Sequence, residues 1–352
     1  MSSYLSKRYQ ALEAYTPGEQ PRDMRYVKLN TNESPYPPSP GVLEAVTAEA
    51  GRLQLYSDPV CAELRDALAA RYGVKRENVF VSNGSDDILN FAFMAFAGDT
   101  VPACFPDISY GFYRVYADLH GIDSRQIPLK PDFSVAAGDY MNLDGFIAIA
   151  NPNAPTGMAL SRDEIEGIVK ANPGHVVLID EAYVDFGAES CVPLTSKYDN
   201  LLVVQTFSKS RSMAGARLGF AIASEGLIAD LEKIKYSTNP YSVNRMTLAA
   251  GIAALAADDY NMENCRRVMK TREATAARLR DMGFEVLPSL SNFLFARCPG
   301  QSGEALYLAL KRRGVLVRHF SDARIADFLR ISIGTPEQMD VLFEKLSEIL
   351  EG

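Results

Sequence analysis

The sequence predicts an α/β fold, and three observations carry that prediction. Apolar runs at 79–82, 145–150, 175–179 and 201–204, rich in Val, Ile, Leu and Phe, read as short buried strands, the last of them as a parallel one. Segments with helical spacing, such as 43–55, 61–72 and 161–171, lie between them, so helix and strand alternate along the chain. Beyond Gly283 the strands shorten and are separated by helices, which marks a smaller α+β unit. The chain's 352 residues are enough for two domains of roughly 150 residues each. At 47% hydrophobic and 23% charged, it has the composition of an ordinary soluble enzyme.

Bulk properties exclude several classes. A net charge of −8 argues against a nucleic-acid partner or a basic membrane-binding face. No apolar run approaches the ~20 residues of a membrane span. The N-terminus lacks the apolar core of a signal peptide, so the cytoplasm is the expected compartment. Five scattered cysteines without a C-x-x-C pair and three isolated histidines predict no disulfide framework and no metal site.

Taken in order, residues 1–15 suggest an amphipathic helix, and a proline-containing connector follows to about residue 25. Leu29-Asn30-Thr31-Asn32-Glu33-Ser34-Pro35 reads as an extended arm, because each proline disfavours helix in its predecessor. The 43–55 helix ends at a turn carrying Tyr56, by itself an exposed loop tyrosine. Strand 79–82 runs into Asn83-Gly84-Ser85-Asp86-Asp87 and a helix to Phe96. That strand–glycine–helix order offers the backbone N–H groups of Gly84, Ser85 and Asp86 to a phosphate, with the two aspartate side chains expected to point away. The aromatic stretch 106–113 reads as core, or as a face for a flat ligand at Tyr110. Strand 145–150 exits into Asn151-Pro152-Asn153-Ala154-Pro155-Thr156-Gly157, a rigid turn whose asparagines could hydrogen-bond a phenolate. Ser161 and Glu164 form a capping box.

The next two strands carry the chemistry. Asp180 closes strand 175–179, and a carboxylate there is costly unless paired. A metal, a buried capping pair or a cationic ring nitrogen would each serve. Strand 201–204 leads into Ser208-Lys209, and a lysine beyond the carboxyl end of a buried strand can lose its proton and attack a carbonyl. Arg217 follows between Gly215 and Gly219, so Ser208, Lys209 and Arg217 could hold an anion beside a reactive amine, unless they line a solvated loop. A helical stretch from Asn244 to about Met282 could join two domains. Arg330, among apolar neighbours in the strand 328–333, suggests an anion grip, and Arg318 is either a second contact or a surface residue.

The segment Ser208-Lys209…Gly215…Arg217…Gly219 resembles the S-K-x-x-x-x-x-G-x-R-x-G motif of fold-type-I enzymes that use pyridoxal 5′-phosphate. The arm 29–35 resembles the L-N-x-N-E-N-P arm of histidinol-phosphate aminotransferases, with Ser34 in place of Asn. The turn at Gly84, the loop 151–157 and Leu329–Thr335 resemble that family's G-x-x-[DE], N-P-x-N-P-T-G and L-R-[IV]-[ST]-[IV]-G-T, with Ala154 standing where the second motif has Asn.

The resemblance implies a doubly wound, mostly parallel large domain over 30–245 and a small domain from 1–29 and 246–352. It implies a Schiff base on Lys209, catalysis by Lys209, Asp180 and Tyr183, and a cofactor phosphate held by Gly84, Ser85, Asp86, Ser208 and Arg217. Tyr110 would stack on the ring, Asp180 meet its nitrogen, and Tyr183 with Asn153 meet its oxygen. Tyr56 would reach across a homodimer interface to the other subunit's phosphate. Arg330, Arg318, Tyr15 and Asn32 would bind substrate. The implied reaction is transamination between L-histidinol phosphate and 2-oxoglutarate. A threonine-phosphate decarboxylase, an aromatic aminotransferase and a non-enzymatic cofactor-binding regulator are the alternatives.

Overall fold

The computed structural model describes residues 4–98 and 100–351. Its largest sheet has seven strands in the order Val79–Ser82, Gly219–Ile222, Leu201–Thr206, Val177–Asp180, Phe146–Ala150, Ala103–Pro106, Ser124–Ile127. The pairings among the last five are parallel; only Gly219–Ile222 runs antiparallel to both of its neighbours.

Strand periodicity explains why helices cover both faces. Ile147, Ile149, Val177, Ile179, Leu201 and Val203 point into one core with Leu64 and Leu68, Ile165 and Ile168, and Ala250 and Ala254. The residues between them, Phe146, Ala148, Leu178, Leu202 and Val204, point into a second core with Ile88, Phe93, Tyr113, Tyr116, Ile228 and Leu231. The sheet is therefore doubly wound. Its parallel strands end at one edge, where the loops after Ser82, Pro106, Ala150, Asp180 and Thr206 gather.

A second sheet, antiparallel throughout, has the order Arg318–His319, Phe328–Ser332, Phe293–Arg297, Glu285–Val286. Its core includes Leu294, Leu329, Ile331, Leu342 and Leu346, and Leu29 from the N-terminal arm joins it. Val27–Lys28 pairs in parallel with Val315–Leu316, tying the arm to the C-terminal half.

Several elements differ from expectation. Of the helix expected over 1–15, residues 1–3 lie outside the described residues, and the rest holds only a 3-10 turn at Lys7–Tyr9. The turn buries no residue, and without an apolar face against a core a short helix is unstable. The stretch expected as one helix from Asn244 is two, Arg245–Ala256 and Asp258–Asp281. Core membership changes between them, from the large sheet at Leu255 to the small unit at Cys265. The 43–55 helix spans Pro40–Ala50, started by Pro40 and stopped at Gly51. The aromatic stretch 106–113, for which no helix was expected, runs at its end into one, Phe112–His120.

Candidate active site

The reactive residues converge at the carboxyl edge of the large sheet. Thr31, Glu33, Ser85, Asp86, Tyr110, Ala150, Pro152, Ala154, Asp180, Ala182, Tyr183, Thr206, Ser208, Lys209, Ala214 and Arg217 line one cavity. An adjoining cavity shares Thr31, Tyr110, Ala154, Tyr183 and Lys209, and adds Tyr15, Asn32, Arg318 and Arg330. Lys209 thus stands where the two meet. Its Nζ donates to the Thr31 carbonyl at 3.3 Å and lies 5.7 Å from the Tyr183 ring centroid, with no carboxylate partner among the described residues.

Asp180 sits at the end of its strand, buried, receiving the Tyr113 hydroxyl on Oδ2 and the Ala182 N–H on Oδ1, each at 3.1 Å. Burial pushes its carboxyl up to about 6; the two donors and the Lys209 charge pull the other way. Adjacent Glu181 faces away, receiving Cys191 N–H, Ser190 Oγ–H and Gln205 Nε2–H, and burial pushes it up to about 7.

At the turn after Ser82, Gly84 adopts φ +84°, and no side chain caps the helix Ser85–Phe96. The Arg217 guanidinium lies over Gly84, so close that a Cβ there would sit 2.7 Å from Nη2. Asp86 departs from expectation. Its side chain does not point away but accepts Arg217 Nη2 and the Tyr110 hydroxyl, both at 2.7 Å. A guanidinium and a phenol beside it outweigh solvent. Asp87 does turn aside, to the Ser82 hydroxyl at 3.1 Å. Ser208 is buried and receives the Thr206 hydroxyl at 3.0 Å. Gly219, at the start of the antiparallel strand, lies against this turn; a Cβ on it would meet Ser85 N at 2.3 Å.

Two expected contacts are not brought to the cavity. Asn153 is buried within its own loop: Nδ2 donates to the Ile108 carbonyl at 3.0 Å and to Thr156 Oγ1, and Oδ1 receives Ser109 Oγ–H at 2.7 Å. With its polar atoms engaged there, Asn153 lines neither cavity, and Ala154 forms the wall instead. Tyr56 is 80% exposed, stacked on Tyr241 at 4.6 Å, and also absent from both cavities of the single chain.

The second cavity is cationic and aromatic. Arg330 is half-buried between Phe293 and Phe320, donates through Nη2 to the Asn30 carbonyl at 3.0 Å, and has a buried Nε with no partner among the described residues. Arg318 donates to the Thr16 and Pro17 carbonyls at 3.1 and 3.3 Å, holding the arm beside Tyr15, whose ring packs on Phe112. Asn32 joins the halves of the molecule: Nδ2 donates to the Tyr183 hydroxyl at 3.0 Å and Oδ1 receives Ser332 Oγ–H at 2.9 Å. Ser34 has a structural use as well, receiving the hydroxyl of Ser212, three residues beyond Lys209, at 2.8 Å. Sequence reading missed Tyr113, which lies in no motif, and Thr31, which fills the variable position of the arm motif and acts through its backbone carbonyl; both meet partners far along the chain.

Chemically, the first cavity suits a flat cationic ring with an anionic tail and an aldehyde within reach of the amine. The second suits an anionic substrate. The family model described as aminotransferase class I and II matches residues 25–346. A histidinol-phosphate aminotransferase from Brachyspira hyodysenteriae is 50% identical over 353 residues, covering 100% of both chains. One from Marinomonas sp. is 49% identical, covering 99% of this chain and 100% of its own. The crystal structure of histidinol-phosphate aminotransferase from Sinorhizobium meliloti in complex with pyridoxal-5′-phosphate superposes with a TM-score of 0.88 at 25% identity, covering 100% of this chain and 98% of that one.

Proposed function

The chain belongs to the aminotransferase class I and II family, and from that premise we propose that it exchanges an amino group between L-histidinol phosphate and 2-oxoglutarate. The products are imidazole acetol phosphate and L-glutamate, and the step belongs to histidine biosynthesis. The protein is a pyridoxal-phosphate-dependent aminotransferase acting on small amino and keto acids. The observation that carries the substrate assignment is Arg330: a half-buried cation with a buried Nε unpartnered among the described residues, in a cavity that also contains Arg318 and opens onto Lys209.

Three features support a fit to the cofactor. The turn at Gly84 has an uncapped helix start and an arginine laid across it, as an anionic tail requires. Asp180 is a buried carboxylate lining the same cavity, as a cationic ring nitrogen requires. Lys209 Nζ has no acidic partner among the described residues, as a nucleophilic amine requires. When bound, pyridoxal phosphate supplies an electron sink for the pair left behind at the substrate Cα.

The chain's own residues then have separable tasks. Ser208, Arg217 and the Gly84–Asp86 amides hold the phosphate. Asp180 keeps the ring nitrogen protonated. The Tyr183 oxygen already receives Asn32, so its own proton is free to point into the cavity. With no carboxylate holding it among the described residues, the Lys209 amine would be the base that takes the substrate Cα proton. Arg330 and Arg318 bind the substrate phosphate, and Arg330 also receives the glutamate carboxylate. For Arg318 this means exchanging the Thr16 and Pro17 carbonyls for the ligand.

We further propose that the enzyme works in the cytoplasm as a homodimer in which exposed Tyr56 reaches the neighbouring subunit's phosphate. Within each copy, 30–245 act as the large domain and 1–29 with 246–352 as the small one. Exposed Leu53, Leu55, Tyr56 and Tyr241 support a covered apolar face. Among the described residues no helix is long and apolar enough to cross a membrane.

The test is a side-by-side assay with histidinol phosphate, phenylalanine and threonine phosphate, scoring keto product and carbon dioxide separately. Preferred turnover of histidinol phosphate to a keto product is expected. Preferred release of carbon dioxide from threonine phosphate, or no turnover of any substrate, would overturn the reading.

A further inference from the structure

The helix Phe112–His120 contributes a side chain to the site from behind. Tyr113 is fully buried, and its hydroxyl donates to Asp180 Oδ2 while the Ala182 N–H holds Oδ1. The carboxylate is gripped at both oxygens from the protein side and still lines the cavity, where its remaining lone pairs are free for a ligand. The Tyr113 ring is set among Phe93, Phe105 and Tyr110, with centroids 6.1, 5.9 and 5.8 Å away, so it cannot swing aside. One turn on, Tyr116 donates to the Asp86 carbonyl at 3.0 Å, and Tyr110, just before the helix, donates to the Asp86 carboxylate. Residues three apart share a helix face, so Tyr113 and Tyr116 of one helix hold two residues that line the cavity, Asp180 and Asp86.

We propose that Tyr113 is a positioning residue whose hydroxyl fixes Asp180 as an oriented anion for a cationic ring nitrogen, and that it acts on the reaction only through that carboxylate. The inference rests on the pyridoxal-phosphate reading above. A donor hydrogen bond favours the charged form of a carboxyl. Around Asp180, burial and the Asp86 charge favour the neutral acid, whereas Tyr113, the Ala182 N–H and the Lys209 charge favour the anion. Burial and Asp180 hold the Tyr113 hydroxyl far above its ordinary range, so it stays a donor throughout the working pH. Without that hydroxyl the carboxyl takes up its proton at higher pH, and a neutral carboxyl cannot retain a cationic ring.

The test uses Tyr113→Phe, which keeps the ring and removes the donor, with cofactor binding followed by the visible absorbance of the protein titrated with pyridoxal phosphate. Expected is about a tenfold rise in the cofactor dissociation constant, the size of one lost hydrogen bond to a charged group. The pH at which half the affinity is lost should also move upward. Turnover should fall while KM for the amino donor stays within about twofold, because ground-state binding is untouched. Tyr116→Phe, which has no bond to Asp180, should leave the pH midpoint in place. In an Asp180→Asn background the same Phe substitution should change cofactor affinity by less than about twofold, the limit expected of an effect routed wholly through the missing carboxylate. An unmoved pH midpoint, or an undiminished tenfold loss in the Asn background, would overturn the proposal. A variant merely weakened in folding loses affinity at every pH and reveals itself by a lowered melting temperature. Should unsubstituted protein take up no cofactor, the functional reading itself fails, and the two failures are told apart.

Discussion

At the scale of single residues, Lys209 and Arg330 offer the sharpest tests because each has one unsatisfied capacity. Lys209→Ala should lower turnover at least ~10⁴-fold, since it removes both nucleophile and base, while the fold should persist. Single-turnover kinetics checks this. Arg330→Ala should raise KM for a phosphorylated or dicarboxylic substrate about a hundredfold, the upper range for a lost charge-assisted bond, with cofactor affinity unchanged. A steady-state series across amino donors measures it. Residue identity was the most legible level of the sequence. Lysine after a buried strand, aspartate at the end of its neighbour and arginine inside an apolar strand are each anomalous without a ligand. The misreadings came from side-chain direction. Asn153 has the right chemistry but spends it on Ile108, Thr156 and Ser109, and Asp86 turns toward a cation that lies 131 residues away in sequence.

At the scale of elements, the two glycines flanking Arg217 separate into different roles. A Cβ on Gly215 meets nothing within 4 Å, whereas one on Gly219 would strike Ser85 N at 2.3 Å and the Gly84 carbonyl carbon at 2.4 Å. Gly219→Ala should therefore cost about 1–3 kcal/mol of stability, as overpacking does, and weaken cofactor binding. Gly215→Ala should do neither. Denaturant unfolding of the apoprotein, with a cofactor titration alongside, distinguishes them. Elements with local signals were legible: Ser161 and Glu164 form the expected capping box, and Val79–Ser82 forms the expected strand. Ser124–Ile127 carried no strand signal, because an edge strand that pairs on one side only and faces solvent needs no apolar run. Nor could spacing show that Gly219–Ile222 reverses direction, since buried strands of either sense have the same composition.

At the scale of the molecule, the buried acids beside the cavity set a pH dependence. Glu181 titrates near 7 in the fold against an ordinary 4.5, so between those values the native state binds more protons than the unfolded chain. Its contribution to stability is present below the ordinary value and is lost as pH rises through the folded one, on the order of 1 kcal/mol or more. Asp180 adds the same sign over a narrower window while no cofactor is bound. Melting of the apoprotein should accordingly shift downward between pH 5 and 7, and Glu181→Gln should flatten that slope. The α/β plan was readable because alternation of helix and strand is a property of the whole chain. The pairing that ties the arm to the small unit was not readable from periodicity, since Val27–Lys28 finds its partner at Val315–Leu316; only the resemblance put 1–29 with the C-terminal part. One further consequence lies in the hairpin between the lysine's strand and the reversed one, closed by the Thr206–Gly219 rung. On the proposed assignment, the amine and the Ser208–Arg217 side of the phosphate clamp belong to a single rigid calliper whose gap is set by protein rungs rather than by its guest. A vitamer lengthened by one methylene between ring and phosphate would then be refused on length alone, whatever its charge.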